Sequence, residues 1–392
     1  MNQEKIESSD VNSAAQQSLS RSREEIKVLT KSILDLANAR QKVSLQVARD
    51  KAILGEQIFN LEVEEKLLSE SDEYARKIGL DQDLAQALVQ DLIKHSKVAQ
   101  SSDLYREKIK QFLEVRKIKT IAIVGAGRMG SWFARYFRGF PVKISLYDEI
   151  PGKAKGKARK VGVDHLQSIE EATGADLVVV SVPISKTPAI VRQLSELALD
   201  SPKDLILLEI SSVKKVMEDS GLFGDDALTE NIKLYSIHPL FGGSAQFFEA
   251  NSIIQSFPKD TTFLRGIFPQ CAIFTLDWSA HDELMGLFLT LPHALAMVFA
   301  DVIDSDGRKL SREILSLNSP SYLHMLDLAQ RVLSEDPEIY FEIQSSNPNS
   351  KLVISRAMNS LLKLEKSINS RSEFVEFFLK ARRRIDAIEK TD

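Results

Sequence analysis

Proline is absent from the first 140 residues of this 392-residue chain; the first of its 12 prolines is Pro141. Glycine is almost as scarce, with only Gly55 and Gly79 before Gly125. Strand-and-turn domains need both residues, glycine for turns of positive φ and proline to punctuate the chain. A stretch this poor in both is confined to long helices, so the N-terminal third is expected to be all-α. Beyond Lys119 the texture changes to short apolar runs separated by glycine loops. The chain therefore holds more than one architecture, as its length also suggests.

Residues 1–20 are rich in Ser, Gln, Asn and Glu and are expected to form a disordered tail. From Ser22, the residues Ile26, Leu29, Ile33, Leu36, Val43 and Val47 recur at helical spacing. Gly55 closes or kinks this helix. A second helix runs from about Leu61 to Ile78, closed by Gly79. Asp81 caps a third, with Leu84, Leu88 and Leu92 on its buried side. Three helices over residues 21–102 enclose little core, so dimerisation is the natural way to bury the remainder. Residues 103–117 are charged and read as a helical linker.

Thr120 to Val124, Val142 to Tyr147, Leu177 to Val182 and Leu205 to Ile210 are apolar runs of the kind found in parallel strands buried on both faces. They alternate with helical patterns, which predicts a doubly wound α/β Rossmann domain over residues 118–278. Residues 279–392 read as an all-α C-terminal domain broken near Pro320, Pro337 and Pro348.

Composition excludes several classes. With 51 basic and 55 acidic side chains the net charge is −4, which lacks the basic excess of a nucleic-acid binder. The lone Cys271 can form no internal disulfide and no cysteine zinc site, and no metal site is expected. The polar, acidic N-terminus is no signal or transit peptide. The longest apolar stretch, Leu287 to Ala300, is interrupted by Thr290, Pro292 and His293 and is too short to span a membrane. A cytoplasmic protein is expected.

The residues Gly125-Ala126-Gly127-Arg128-Met129-Gly130 directly follow an apolar strand and open a helix. Gly125 allows the tight turn, Gly127 lets backbone approach a pyrophosphate, and Gly130 lets helix and strand pack closely. The helix N-terminus offers free N–H groups to phosphate. Asp148 ends the second strand, where an acid accepts from ribose hydroxyls and repels a 2′-phosphate, so NAD is the expected cofactor. Among six histidines, His238 stands out because it closes the strand-like Leu234–Ile237 and precedes Pro239-Leu240-Phe241-Gly242. A neutral imidazole there is placed to take a proton from a substrate hydroxyl, although from position alone a structural histidine is the more ordinary reading. Read without further context, His293 is a core histidine and Arg331 an exposed helical charge.

The set GAGRMG, Ser181-Val182-Pro183, Ser212-Val213-Lys214, His238-Pro239-Leu240-Phe241-Gly242, His281-Asp282 and Leu291-Pro292-His293 closely resembles prephenate dehydrogenase over residues 117–390. That family oxidatively decarboxylates prephenate with NAD to 4-hydroxyphenylpyruvate. The resemblance places its catalytic histidine at His238, the partner serine at Ser212 and the second site histidine at His293. It places the arginine that holds the ring carboxylate at Arg331, and extends the cofactor contacts to Arg128, Met129, Ser181 and Pro183. A second helical arginine of the bacterial enzymes has no counterpart; Leu323 stands there.

The N-terminal helices carry a second set. Arg40 and Lys51 lie eleven residues apart and share a helix face; Asn60 and Glu64, and Ser96 and Gln100, are i,i+4 pairs. Such a set ordinarily reads as solvated surface, yet it resembles the AroQ-type chorismate mutase pattern without a gap from Arg23 to Gln100. The resemblance assigns Arg23 to reach into a second subunit and Arg40 to bind a carboxylate. Lys51 and Gln100 fall at the ether oxygen, Asn60 and Glu64 near the substrate hydroxyl, and Ser96 beside Gln100. Asn60 replaces an aspartate, and Val63 stands where bacterial enzymes have an arginine.

Together these resemblances imply a homodimeric bifunctional enzyme that converts chorismate to prephenate and prephenate to 4-hydroxyphenylpyruvate. Three alternatives remain open on sequence: arogenate as the oxidised substrate, N-terminal helices that only dimerise or regulate, and an NAD-binding sensor without catalysis.

Overall fold

The structure is a computed structural model that describes residues 2–54, 61–199, 201, 203–224, 228, 230–248, 251–304 and 319–389. The chain divides into two compact units, residues 1–109 and 110–392.

The first unit is all-helical, built from α1 (Asn2–Leu54), α2 (Leu61–Ile78) and the beginning of α3 (Gln82–Val115). Residues 2–20, expected as a disordered tail, belong to α1. Polar composition did not outweigh the absence of any proline or glycine before Gly55, which leaves nothing to stop the helix. The turn between α2 and α3 follows from two residues. Gly79 adopts φ +74°, and the Leu80 N–H donates to the Ala75 carbonyl at 2.9 Å, the bond that closes a helix through a left-handed residue. Asp81 then caps α3 by accepting from the Leu84 N–H at 2.9 Å. The stretch 103–117, expected as a separate linker, has no break of its own: α3 runs through it to Val115.

Small residues, Ala48, Ala75, Ala85, Ser44 and Ser96, are buried in this unit, which lets its helices approach closely. The apolar stripe of α1 is not covered within one chain: Ile26, Leu29, Ile33, Leu36 and Val43 are each more than half exposed. Leu84 and Leu88 of α3, expected on its buried side, are also exposed.

The second unit opens with alternating elements: β1 (Thr120–Val124), α4 (Arg128–Phe137), β2 (Lys143–Tyr147), α5 (Pro151–Val161), β3 (Asp164–His165), β4 (Leu177–Val180), α6 (Thr187–Leu197), β5 (Leu205–Glu209) and α7 (Lys215–Asp219). It continues with β6 (Ile232–Pro239), β7 (Ser252–Phe257), α8 (Thr262–Ile267) and β8 (Ala272–Thr275). The sheet order is β3-β2-β1-β4-β5-β6-β7-β8, parallel through β6, with β7 antiparallel to β6 and β8 parallel to β7. Strand order reverses between β1 and β4, so a crevice opens at their carboxyl ends, where such sheets bind ligands. The strands fit this role because both faces are apolar. All four residues of β4 are buried, and Val178 and Val180 pack with Val191, Leu194 and Leu207.

Helices complete the unit: α9 (Trp278–Met285), a π-helical turn (Gly286–Thr290), α10 (Leu291–Asp304), α11 (Pro320–Leu333), α12 (Pro337–Ser346), α13 (Ser350–Ser367) and α14 (Arg371–Glu389). Two of the prolines flagged in the sequence, Pro320 and Pro337, open α11 and α12, where their missing N–H costs no hydrogen bond. Trp278–Ile303 forms one continuous helix of 26 residues, long and apolar enough by composition alone to cross a membrane. It is thus longer than the apolar stretch read from sequence. Leu287, Phe288, Val298 and Val302 on it are exposed.

Candidate active sites

The glycine loop lies at the end of β1. Gly125 adopts φ +105°, and a Cβ there would stand 2.0 Å from the Ser181 carbonyl oxygen; a Cβ on Gly130 would stand 1.9 Å from the Gly125 oxygen. Both positions therefore exclude any side chain. Gly127 has open space around it and leads α4 without a side-chain cap, so the first N–H groups of that helix are left for an anion. This cradle fits a dinucleotide pyrophosphate. Ser181 donates its N–H to Val124 at 2.8 Å, which holds the β4 loop against the glycine loop.

Asp148 is buried at the end of β2. Its Oδ2 accepts from the Ala126 N–H at 2.8 Å and from the Lys153 ammonium at 3.0 Å, and its Oδ1 from the Ile150 N–H at 3.1 Å. Burial pushes this carboxyl up, but the bonds from Ala126, Ile150 and Lys153 outweigh burial and hold it below the usual carboxylate range. A carboxylate offers about four lone-pair positions, so one remains for a ribose hydroxyl. Arg128 leaves the loop to pair with Glu335 between α11 and α12. Met129 lies in the first turn of α4. Pro183 is exposed in the β4 loop; just beyond it, Glu342 of α12 accepts from the Ile184 N–H at 2.6 Å and from the Ser185 hydroxyl.

His238 is 5% exposed near the end of β6, and its Nδ1 lies 3.0 Å from Nε2 of the fully buried His281. The Nδ1 of His281 is 2.7 Å from Asp282 Oδ1, and the Asp282 carboxylate also accepts the N–H groups of Lys214 and Lys215, each at 2.9 Å. Asn347, at the C-terminal cap of α12, donates to the Asp282 carbonyl at 2.8 Å. Beneath this group Lys214 donates to Glu209 at 2.6 Å and to the Ile237 carbonyl at 2.7 Å. Glu209 also accepts from the N–H and hydroxyl of Ser211 and from Ser236. Burial, His281 and the Lys214 ammonium hold His238 well below the usual histidine range, so it is neutral near pH 7.

Other expected residues are placed differently. Ser212 is half-buried in the loop after β5, beside the strand that carries His238, but among the described residues it makes no hydrogen bond to that histidine; His281 takes the place expected for it. The reason is reach: α9 brings His281 within 3.0 Å of His238. His293 packs edge-on against Tyr340 with centroids 4.7 Å apart, and its buried Nδ1 has no partner among the described residues. Arg331 does not join these histidines within one chain. Its side chain is 76% exposed and pairs with Asp327 at 2.8 Å, one turn earlier on the solvent side of α11.

In the first unit, α1 and α3 bring together three residues of the second set, Arg40, Ser96 and Gln100. Arg40 donates to the Leu92 carbonyl at 2.8 Å and to the Ser96 hydroxyl, and Gln100 donates to the Ser44 hydroxyl at 2.6 Å. Glu64 of α2 pairs with Lys97 of α3 at 2.6 Å. Lys51 is half-buried in the last turn of α1, and Arg23 is exposed on the same helix. Asn60 lies outside the described residues.

Sequence reasoning missed Ser44, Lys97, Tyr340, Glu342 and Asn347, and passed over Glu209 and Lys214. Glu209 left a signal as a charge inside the otherwise apolar run Leu205 to Ile210, and Lys214 stood in the Ser212-Val213-Lys214 motif without a role. His281-Asp282 was noted as a motif but given no role.

Three family models match the chain. Chorismate mutase type II covers residues 22–101, the prephenate dehydrogenase nucleotide-binding domain 133–257, and the prephenate dehydrogenase dimerization domain 277–380. The second match begins inside α4, after the glycine loop. The chain is 24% identical to a probable arogenate/prephenate dehydrogenase of Methanocaldococcus jannaschii over 276 residues, 67% of this chain and 60% of that one. It thus spans less than two-thirds of that relative. It is 22% identical to the T-protein of Enterobacter agglomerans over 345 residues, 85% of this chain and 83% of that one. The prephenate dehydrogenase from A. aeolicus, solved with hydroxyphenyl propionate and NAD+, shares the fold with a TM-score of 0.54 at 21% identity, covering 69% of this chain and 98% of that one. This chain belongs to the bifunctional family that joins a type II chorismate mutase domain to the nucleotide-binding and dimerization domains of a prephenate dehydrogenase.

Proposed function

We propose that residues 21–102 rearrange chorismate to prephenate, and that residues 118–392 oxidise and decarboxylate prephenate to 4-hydroxyphenylpyruvate in tyrosine biosynthesis. The observation that carries the second step is His238: a buried imidazole, neutral near pH 7, near the carboxyl end of β6 in the same sheet whose β1 ends in the glycine loop. NAD, when held by Gly125, Gly127, Arg128, Met129, Gly130, Ser181 and Pro183, supplies the hydride acceptor. Asp148 accepts from the adenosine ribose and disfavours a 2′-phosphate.

His238 takes the proton of the substrate ring hydroxyl, with Ser212 as a second polar contact and His293 on the far side of the substrate. Arg331 holds the ring carboxylate, exchanging its partner Asp327 for it. Losing that carboxylate as carbon dioxide, together with hydride from the carbinol carbon, makes the ring aromatic. The reaction is therefore downhill, and the protein has mainly to orient the ring and polarise the hydroxyl.

The mutase step needs no acid, base or cofactor, only a compact substrate conformation and stabilised charge at the ether oxygen. Arg40 and Arg23 of a second subunit serve the two carboxylates. Lys51 and Gln100 serve the ether oxygen, and Glu64, Asn60 and Ser96 complete the pocket. The bare apolar stripe of α1 and the exposed face of Trp278–Ile303 support a homodimer, working as a soluble cytoplasmic enzyme. Supplying prephenate or arogenate with NAD to the purified chain tests the oxidation. NADH formed faster from prephenate supports the reading, and turnover of arogenate alone replaces it.

A further inference from the structure

His281 and Asp282 are wholly buried, lie next to His238, and have no part in the steps above. Their hydrogen bonds can be read in only one direction. Asp282 is an acceptor for the Lys214 and Lys215 N–H groups, so its contact with His281 Nδ1 requires the proton to sit on that nitrogen. A neutral His281 then has a bare Nε2, which must accept from His238 Nδ1 at 3.0 Å. With its one proton on Nδ1, a neutral His238 keeps Nε2 free. The charged groups around the pair, Lys214 after β5, Glu209 on β5 and Asp282 on α9, are all engaged with one another or with backbone.

We propose that Asp282 and His281 are positioning residues for His238: the chain Asp282–His281–His238 fixes the His238 proton on Nδ1 and leaves Nε2 to receive the substrate's hydroxyl proton. This rests on the reading of His238 as the base. In that step the substrate O–H bond breaks and an Nε2–H bond forms. The resulting imidazolium keeps its Nδ1–H bond to His281, so no group has to turn. Once hydride and carbon dioxide have left the ring, the Nε2–H bond breaks and the proton returns to the phenolate oxygen, restoring neutral His238.

The test combines a spectrum with four variants of the enzyme. In protein labelled with 15N-histidine, His238, assigned by its loss in His238→Asn, is expected to show a protonated Nδ1 and an unprotonated Nε2. Asp282→Asn can donate where Asp282 accepts, which reverses the chain and puts the proton on Nε2. Its kcat with prephenate is expected to fall about 10⁴-fold, as for a base held in the wrong tautomer, with NAD affinity kept. His281→Gln offers a carbonyl to His238 and an amide to Asp282, so it is expected to stay within about tenfold of wild type, the effect of a preserved but shifted bond. His281→Met, which offers neither, is expected to lose far more. A wild-type His238 protonated on Nε2, or equal losses in His281→Gln and His281→Met, would overturn the proposal. Should Asp282→Asn fail to fold, those two readouts still decide it. Undiminished turnover by His238→Asn contradicts the reading of His238 as base instead, and the spectrum reports the tautomer regardless.

Discussion

Lys214 and Glu209 form an ion pair in which neither side chain is exposed, with Nζ 2.6 Å from Oε1. The pair sits at the end of β5 and ties it to β6, because Lys214 also donates to the Ile237 carbonyl next to His238. Removing one member leaves the other charge buried and unpaired, which costs about 3–5 kcal/mol. Lys214→Met is therefore expected to lower the unfolding temperature of the dehydrogenase unit and its activity together. Adding Glu209→Gln should recover part of the stability, as calorimetry can measure.

The glycine loop gives a sharper loss of function. A Cβ on Gly125 would overlap the Ser181 carbonyl oxygen at 2.0 Å in a backbone of φ +105°. Gly125→Ala is expected to abolish measurable NAD binding in a titration while chorismate turnover by the same protein continues.

These two sites differ in how far the sequence revealed them. The glycine loop and Asp148 were legible because their meaning is local: a strand, three glycines at fixed spacing, then a helix. β1 was read with its observed limits, Thr120 to Val124. His238 was legible in position but not in surroundings, since His281 reaches it from 43 residues away and only the folded chain joins them. Arg331 was expected among the histidines, yet a single chain leaves it facing solvent beside Asp327. The tail at residues 2–20 was misjudged because polar composition was weighed above the lack of any helix breaker.

The pH dependence of oxidation follows from His238. Burial, His281 and Lys214 hold it well below the usual histidine value, and the base must be neutral to act. As pH rises through this depressed value the rate rises, then stays level. The kcat/KM for prephenate, which reports the free enzyme, is expected to show no histidine limb between pH 6.5 and 8. A fall centred near 6.5 would contradict a buried base.

Acid stability follows from Asp176. Burial raises its carboxyl, but the bonds from Lys203, Thr120 and Lys119 outweigh this and lower it to about 2 from an ordinary 3.8. The folded carboxyl is depressed, so its contribution is complete above about pH 4 and is lost as pH falls towards 2. Asp176→Asn is expected to lower the unfolding temperature at neutral pH and to flatten its decline between pH 4 and 2.

In the helical unit, Arg40 is held by the Leu92 carbonyl and the Ser96 hydroxyl. Arg40→Ala is expected to reduce chorismate kcat/KM by about 10²-fold or more, as for loss of one fixed charge donor at a reacting centre. Prephenate oxidation should be unchanged in a coupled assay.

The central claim is that one chain carries two consecutive reactions, and it is tested most directly by giving the purified protein chorismate with and without NAD. The account predicts that prephenate accumulates without NAD, and that NADH and 4-hydroxyphenylpyruvate appear together when NAD is present. Chorismate left unconsumed in both cases, with prephenate still oxidised when supplied directly, would contradict it and reduce the N-terminal helices to a binding or dimerising role.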